Sequence, residues 1–242
     1  MGVHEGMQPK FTVAPAIFER FPDLCFGVVV AEGVDNQGVD PEIANLVQAG
    51  ALALSVAMGG MDVREHPHVA VWREAFRKLD LNPNKFPSSI EALAKRVVKK
   101  PEMPTINKVV DLGNSFSLKY ILPMGAHDLD VLPGDIEVRF ARPDDVFIPF
   151  GATEPEVPDA GEVVYATGNQ IRTRKWVWRQ GEMAKVVEQS QRIFFPIDAW
   201  YGVTDQAARA ARSELAAALE RFCGAKTRVF WVDRDHPSVE LV

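Results

Sequence analysis

"INKVVDLGNSFSLKYILPMGAHDLD", residues 106–130, contains the point at which the chain changes character. Its first part reads as a helix from Ile106 to about Tyr120. Val109, Val110 and Leu112 supply an apolar stripe, and Asp111 and Asn114, three apart, share one face. A carboxylate and an amide beside such a stripe fit either capping and a satisfied core hydrogen bond or the lining of a polar pocket. Past the turn "LPMGAHDLD" the chain becomes a series of short strands: "DIEVRFA", "DVFIPF", "GEVVYAT", "IRTRKWVWR" and "RIFFPIDAW". Pro143, Pro149, Pro155 and Pro158 punctuate them.

Upstream, "KFTVA" and "LCFGVVVAEGV" read as two early strands, and three helices follow. Asp40, Pro41 and Glu42 open the first, which Gly59 and Gly60 end. The second is "HVAVWREAFRKLD", with His66 at its start. The third, "SIEALAKRVVKK", has Ser88 and Glu91 as a capping box and stops at Pro101. Near the C-terminus Thr204 caps an alanine-rich helix that Gly224 closes, and "TRVFWVD" is a last strand. Helices gather first and strands later, so the expected class is α+β. No repeat, low-complexity tract or linker divides the chain, and one domain over 1–242 is expected.

At 242 residues the chain exceeds the roughly 150 of a typical domain but stays within the range of large single folds. With 47% apolar and 25% charged residues it can bury a substantial core. Its 33 acidic and 27 basic side chains, net -6, give no global attraction for polyanions, so nucleic-acid contact requires a local basic patch. Cys25 and Cys223 make neither a disulfide framework nor a four-ligand zinc cage, which fits a reducing cytoplasm. The opening "MGVHEGMQPK" has no apolar core of a signal peptide and lacks the Ser/Thr of a myristoylation signal. No stretch reads as approaching the about 18 apolar residues of a membrane span, so a soluble protein with no membrane partner is expected.

Several constellations bear chemistry. In "IRTRKWVWRQ", period-two alternation sets Arg172, Arg174, Trp176 and Trp178 on one face, and Thr173, Lys175, Val177 and Arg179 on the other. Guanidinium groups beside indoles suit a nucleic-acid end. The same letters fit a core strand with buried tryptophans and arginines paired to local acids, and composition alone favours that account. In "GAHDLD", His127, Asp128 and Asp130 could orient a water proton; a loop turn capped by Asp128 explains them equally simply. The "HPH" pair of His66 and His68 lacks ligand partners at helical spacing, so no metal is assigned. No Walker loop, G-x-G-x-x-G or G-x-S-x-G occurs, which removes the familiar routes to nucleotide hydrolysis, dinucleotide binding and serine esterase chemistry.

In chain order, "SSIEALAKRV", "PTINKVVDLGNSFSLKYILPMGAHDLD", "DIEVRFAR" and "GEVVYATGNQIRTRKWVWRQ" resemble the editing domain of the phenylalanyl-tRNA synthetase beta subunit. "RKWVWRQ" brings them closer to its free-standing relatives. The likeness spans about residues 67–200. It implies β-sheets in a sandwich-like core flanked by helices, around a cavity that accepts the aminoacylated 3' end of tRNA. The implied function is a trans-acting factor that hydrolyses the ester of a misacylated tRNA; the alternative is a non-catalytic module binding tRNA, an amino acid or a protein. The chain has no counterpart of the synthetase's catalytic or anticodon-binding modules. No cofactor and no DNA partner are implied.

The resemblance transfers catalytic roles to Asn114 and Asp128, with His127 as a possible base, and places Asp111 and Asp198 near the substrate. Gly125 stands where synthetase versions carry a histidine, and His127, two residues on, is available to fill that space. Asp198 is the carboxylate nearest in sequence to the family's late glutamate. Arg172, Arg174, Lys175 and Arg179 become phosphate contacts, and Trp176 or Trp178 a stacking surface for the terminal adenosine.

Overall fold

The structure, a computed structural model, describes residues 9–131 and 134–241. The N-terminal stretch read for targeting signals lies almost wholly outside the described residues. Among the described residues six α-helices and two sheets make up an α+β fold. The helices are α1 (Pro15–Arg20), α2 (Pro41–Met58), α3 (Pro67–Lys78), α4 (Ser89–Lys99), α5 (Lys108–Tyr120) and α6 (Asp205–Cys223). One sheet joins β1 (Lys10–Val13), β4 (Ile136–Phe140), β5 (Val146–Phe147), β6 (Val163–Thr167), β7 (Gln170–Arg174), β8 (Arg179–Gln180) and β11 (Ser238–Glu240). The other runs in the order β10 (Lys226–Val232), β2 (Leu24–Glu32), β9 (Arg192–Trp200), β3 (His127–Asp128).

Strand alternation divides the interior. In β2, Phe26, Val28 and Val30 face the first sheet, where they meet Phe11, Val138 and Val163. Val29 and Ala31 point the other way, against Val109, Leu112 and Phe116 of α5 and Leu215 and Leu219 of α6. The second sheet is thus covered on both faces, which is why β2 and β9 read as nearly continuous apolar runs. Between the sheets and beside them, Trp72, Trp176, Trp200 and Phe21 form an aromatic nest with ring centroids 5.1–5.8 Å apart.

Local capping follows the sequence closely. Asp40 accepts from the amides of Glu42 and Ile43, and Gly59 ends α2 at φ +50°. α5 starts at Lys108, two residues after the expected Ile106, because the Asn107 side chain caps it by accepting from the Val110 amide. Two expected caps differ. Ser88 accepts from the Glu91 amide at 3.4 Å, but the Glu91 carboxylate turns away to Arg73 (2.7 Å) and Lys95 (2.5 Å), so the box is half formed. The Thr204 hydroxyl accepts from the Trp200 amide instead of capping α6. The membrane expectation also needs amending. α2 has 18 residues with no charge after Glu42, which meets the length and composition of a span. Its Ile43, Val47, Ala51, Leu54 and Met58 are nevertheless buried in the protein interior.

The stretch "IRTRKWVWRQ" is not one strand. Tyr165 of β6 pairs with Thr173 and Ala166 with Ile171, which leaves Arg172 as the extra residue of a β-bulge and breaks the alternation there. Arg174 then pairs with Arg179, closing a hairpin whose loop is Lys175 to Trp178. Lys175 (φ +45°) and Trp176 (φ +62°) are both left-handed, at roughly 1–2 kcal/mol each for residues with a Cβ. Tertiary contacts hold them there: Trp176 lies in the aromatic nest, and its amide donates to the Val163 carbonyl at 2.5 Å.

Candidate functional site

Even-numbered residues of β9 from Phe194 onward face the first sheet, so Asp198 projects into the space that Phe194 and Trp200 fill with hydrocarbon. A carboxylate there needs partners. Tyr165, on the inward side of β6, donates its hydroxyl to Asp198 Oδ1 at 2.8 Å, and Trp176 Nε1 donates to the same oxygen at 3.1 Å. Burial outweighs these bonds and pushes the Asp198 carboxyl up to about 7; burial and the neighbouring Asp198 charge raise the Tyr165 hydroxyl well above its ordinary value.

His127 pairs with Phe194 across β3 and β9, faces inward beside Asp198's strand, and stacks on Tyr165 at 5.6 Å. Burial, with a contribution from the Arg172 charge, lowers its imidazole to about 3, so the ring is neutral across the physiological range. Its Nδ1 is buried without a hydrogen-bond partner among the described residues. A Cβ added to Gly125 would lie 3.0 Å from His127 Nε2, so the histidine ring occupies the space a side chain at 125 would claim.

The segment before β3 is laid along β9: the Gly125 amide donates to the Pro196 carbonyl at 3.1 Å and the Asp198 amide to that of Pro123 at 3.3 Å. Gln180 Nε2, from the hairpin, donates to the Ala126 carbonyl at 2.7 Å. Met124, Gly125 and Gln180 thereby form a ridge between two cavities. The smaller, about 70 Å³, is lined by His127, Tyr165, Trp176, Trp178, Arg179 and Asp198 among others. The larger, about 340 Å³, is lined by Asn114, Val110, Phe150, Lys185 and Val186 among others. The half-buried side chain of Asn114 has no hydrogen-bond partner among the described residues, so its carboxamide is available to a ligand.

Of the eleven residues given a catalytic, substrate or RNA role from sequence, six border the paired cavities: Asn114 on one side, His127, Trp176, Trp178, Arg179 and Asp198 on the other. The remaining five do not line them. Asp128 points away from His127, accepting from the Ser190 hydroxyl at 2.5 Å and the Asp130 amide at 2.7 Å. The Asp111 carboxylate accepts from the Ile106 amide (3.0 and 3.2 Å) and closes the turn before α5; burial raises its carboxyl. Arg172 is buried, donating to Thr167 Oγ1 and the Met183 carbonyl, and burial lowers its guanidinium to about 10. Arg174 grips Glu162 at 2.9 and 3.0 Å and Glu156 at 2.9 Å, and Lys175 bonds Glu162 at 2.8 Å and also Asp159. These three cations are interior and committed to protein partners, which corrects their reading as an open phosphate-binding face; Arg179 is the exposed one.

Sequence reasoning passed over Tyr165, Gln180, Phe150 and Lys185. Tyr165 carried a signal, since a tyrosine at an inward position of an apolar strand must find a partner for its hydroxyl. The other three enter through the hairpin and neighbouring loops, which no local pattern places. Among the described residues no group of three or more His, Cys, Asp or Glu side chains is arranged to hold a metal ion.

The sequence pattern of the B3/4 domain matches residues 71–226, well over half of the chain. The chain belongs to the B3/4 domain family. This B3/4 domain is a relative of the one found in the phenylalanyl-tRNA synthetase beta subunit, in line with the motif resemblance. Strands β1, β2 and β11 fall outside the matched residues yet pair within the same two sheets. Among solved structures the B3/4 domain is similar to an N-terminal fragment of the phenylalanyl-tRNA synthetase beta subunit from Pyrococcus horikoshii. Identity is 10% and the TM-score 0.48, over 94% of this chain and 53% of that one, so the chain spans about half the length of the fragment. No curated protein matches the chain.

Proposed function

We propose that this B3/4 domain receives the aminoacylated 3' end of a tRNA and, acting in trans, hydrolyses the ester of a misacylated tRNA. The observation that carries this reading is the pair of cavities sharing the ridge of Met124, Gly125 and Gln180, with the unpartnered Asn114 amide on one side and Asp198 with His127 on the other. A bipartite substrate, nucleoside joined to amino acid, matches two compartments with its scissile bond at their junction.

An aminoacyl ester is activated, so a held water and donors aimed at the developing oxyanion suffice without a covalent intermediate. Asn114 orients the ester or the attacking water. Asp198, held near 7, serves as the acceptor on the amino-acid side, a role Asp128 cannot fill because its oxygens are taken by the Asp130 amide and the Ser190 hydroxyl. His127 acts as a neutral hydrogen-bonding wall. Arg179 supplies a phosphate contact at the mouth of the smaller cavity, where Trp178 stands beside it as a wall.

Incubating the purified protein with a panel of aminoacyl-tRNAs and following ester loss tests this directly. A second reading, a binding module without catalysis, draws support from the depressed imidazole of His127 and the committed oxygens of Asp128. Binding of tRNA with no panel member deacylated faster than in buffer would select it.

A further inference from the structure

We propose that the smaller cavity is the amino-acid subsite and admits only small side chains, of the size of alanine, serine or threonine, while the larger cavity takes the terminal nucleoside. This inference rests on the deacylase reading, whose substrate class it names.

The volumes assign the compartments. A dry cavity of roughly 150 Å³ is what accommodates a benzene ring. At about 70 Å³ the smaller compartment is half that, too little for a phenyl or phenol group but enough for a methyl or hydroxymethyl one. The larger, about 340 Å³, falls within the range of small-molecule sites. It offers the ring of Phe150, 47% exposed, as a stacking face and the Lys185 ammonium as a phosphate contact.

The walls of the smaller compartment resist enlargement. Trp176 is fully buried between Trp72, Trp200 and Phe21, with Nε1 bonded to Asp198. Tyr165 is held by the same carboxylate and by stacking on Phe11 at 6.1 Å. His127 is wedged between Gly125 and Phe194. Moving any of them repacks the space between the sheets. Trp178 is different: it is half-buried, rests edge-on against Phe86 at 4.9 Å, and closes the compartment from outside. The exclusion of aromatic side chains therefore depends on three fixed rings and one removable one.

The test uses one tRNA body charged in turn with alanine, serine, threonine, phenylalanine and tyrosine. Small esters should be lost at least about tenfold faster than aromatic ones, and Trp178→Ala should shrink that ratio by a similar factor by opening the compartment. Aromatic esters hydrolysed as fast as small ones, or faster, would overturn the subsite while leaving the deacylase reading intact.

Calorimetric titration with non-hydrolysable 3'-aminoacylamino-adenosines separates the two ideas. If no ester is hydrolysed but the alanyl analogue binds more tightly than the tyrosyl one, the subsite stands and the catalytic reading falls. Equal or tighter binding of the tyrosyl analogue, or no binding of either, overturns the subsite.

Discussion

The Tyr165 hydroxyl and the Asp198 carboxylate, 33 residues apart in the chain, meet at 2.8 Å across the gap between the two sheets. Their bond ties β6 to β9 and forms the inner wall of the smaller cavity. Because Trp176 shares the same oxygen, one carboxylate positions a hairpin, a strand and a cavity wall together.

The first prediction concerns pH. Folded Asp198 titrates at about 7 against an ordinary 3.8, so between those values the folded protein keeps a proton that the unfolded chain has released. This group's contribution to stability is complete below about pH 4 and is lost as pH rises through about 7. Asp198→Asn retains an acceptor for Tyr165 and Trp176 but cannot ionise. Its stability relative to the wild type should rise by up to roughly 4 kcal/mol from pH 4 to pH 8, read from urea midpoints at each pH. His127, lowered from 6.5 to about 3, acts in the opposite sense: its contribution is present above about pH 6.5 and lost as pH falls through about 3. The wild-type profile is thus partly flattened, and the difference between variant and wild type isolates Asp198. A difference that does not change with pH would show an ordinary carboxyl.

Asn114→Ala should leave stability within about 0.5 kcal/mol, because the amide has no partner among the described residues to lose. Deacylation should fall about a hundredfold if the amide orients the ester or water. Single-turnover hydrolysis beside thermal unfolding checks both halves, and unaltered hydrolysis would remove Asn114 from the mechanism.

The arginines of the hairpin should separate into two kinds. Arg174→Ala removes a bidentate partner from the buried Glu162, which keeps Lys175, and should destabilise by about 3 kcal/mol with no specific effect on RNA affinity. Arg179→Ala should be neutral for stability and should reduce the salt slope of tRNA binding by about one. Filter-binding titrations from low to high salt distinguish them; a slope unchanged by Arg179→Ala would place the phosphate contacts elsewhere.

Gly125 and His127 fill one space and should therefore couple. Gly125→Ala sets a Cβ 3.0 Å from His127 Nε2 and 3.4 Å from Pro196 Cγ, at a cost of about 1–3 kcal/mol. In the double variant with His127→Ala the ring is gone, and the combined loss should fall short of the sum by at least about 0.5 kcal/mol. Strict additivity in denaturant unfolding would mean that the two residues do not share the space.

What the sequence by itself determined is local or periodic. Asp40 and Gly59 mark helix ends because their side chains or φ angles act within a few residues. The inward and outward sets of β2 follow from period two, and the run "INKVVDLGN" through "LPMGAHDLD" carries the family. The tertiary structure alone decided which of the singled-out residues face a ligand. A single bulge at Arg172 and two left-handed residues reset the faces of "IRTRKWVWRQ". Acids at 156–162 then claim Arg174 and Lys175, while Arg172 is sealed inside with Thr167 and the Met183 carbonyl. Asp198 meets Tyr165 only because two sheets pack face to face. Such pairings depend on strand register and on the desolvation of charge between distant segments, and neither leaves a period in the sequence from which it could be read.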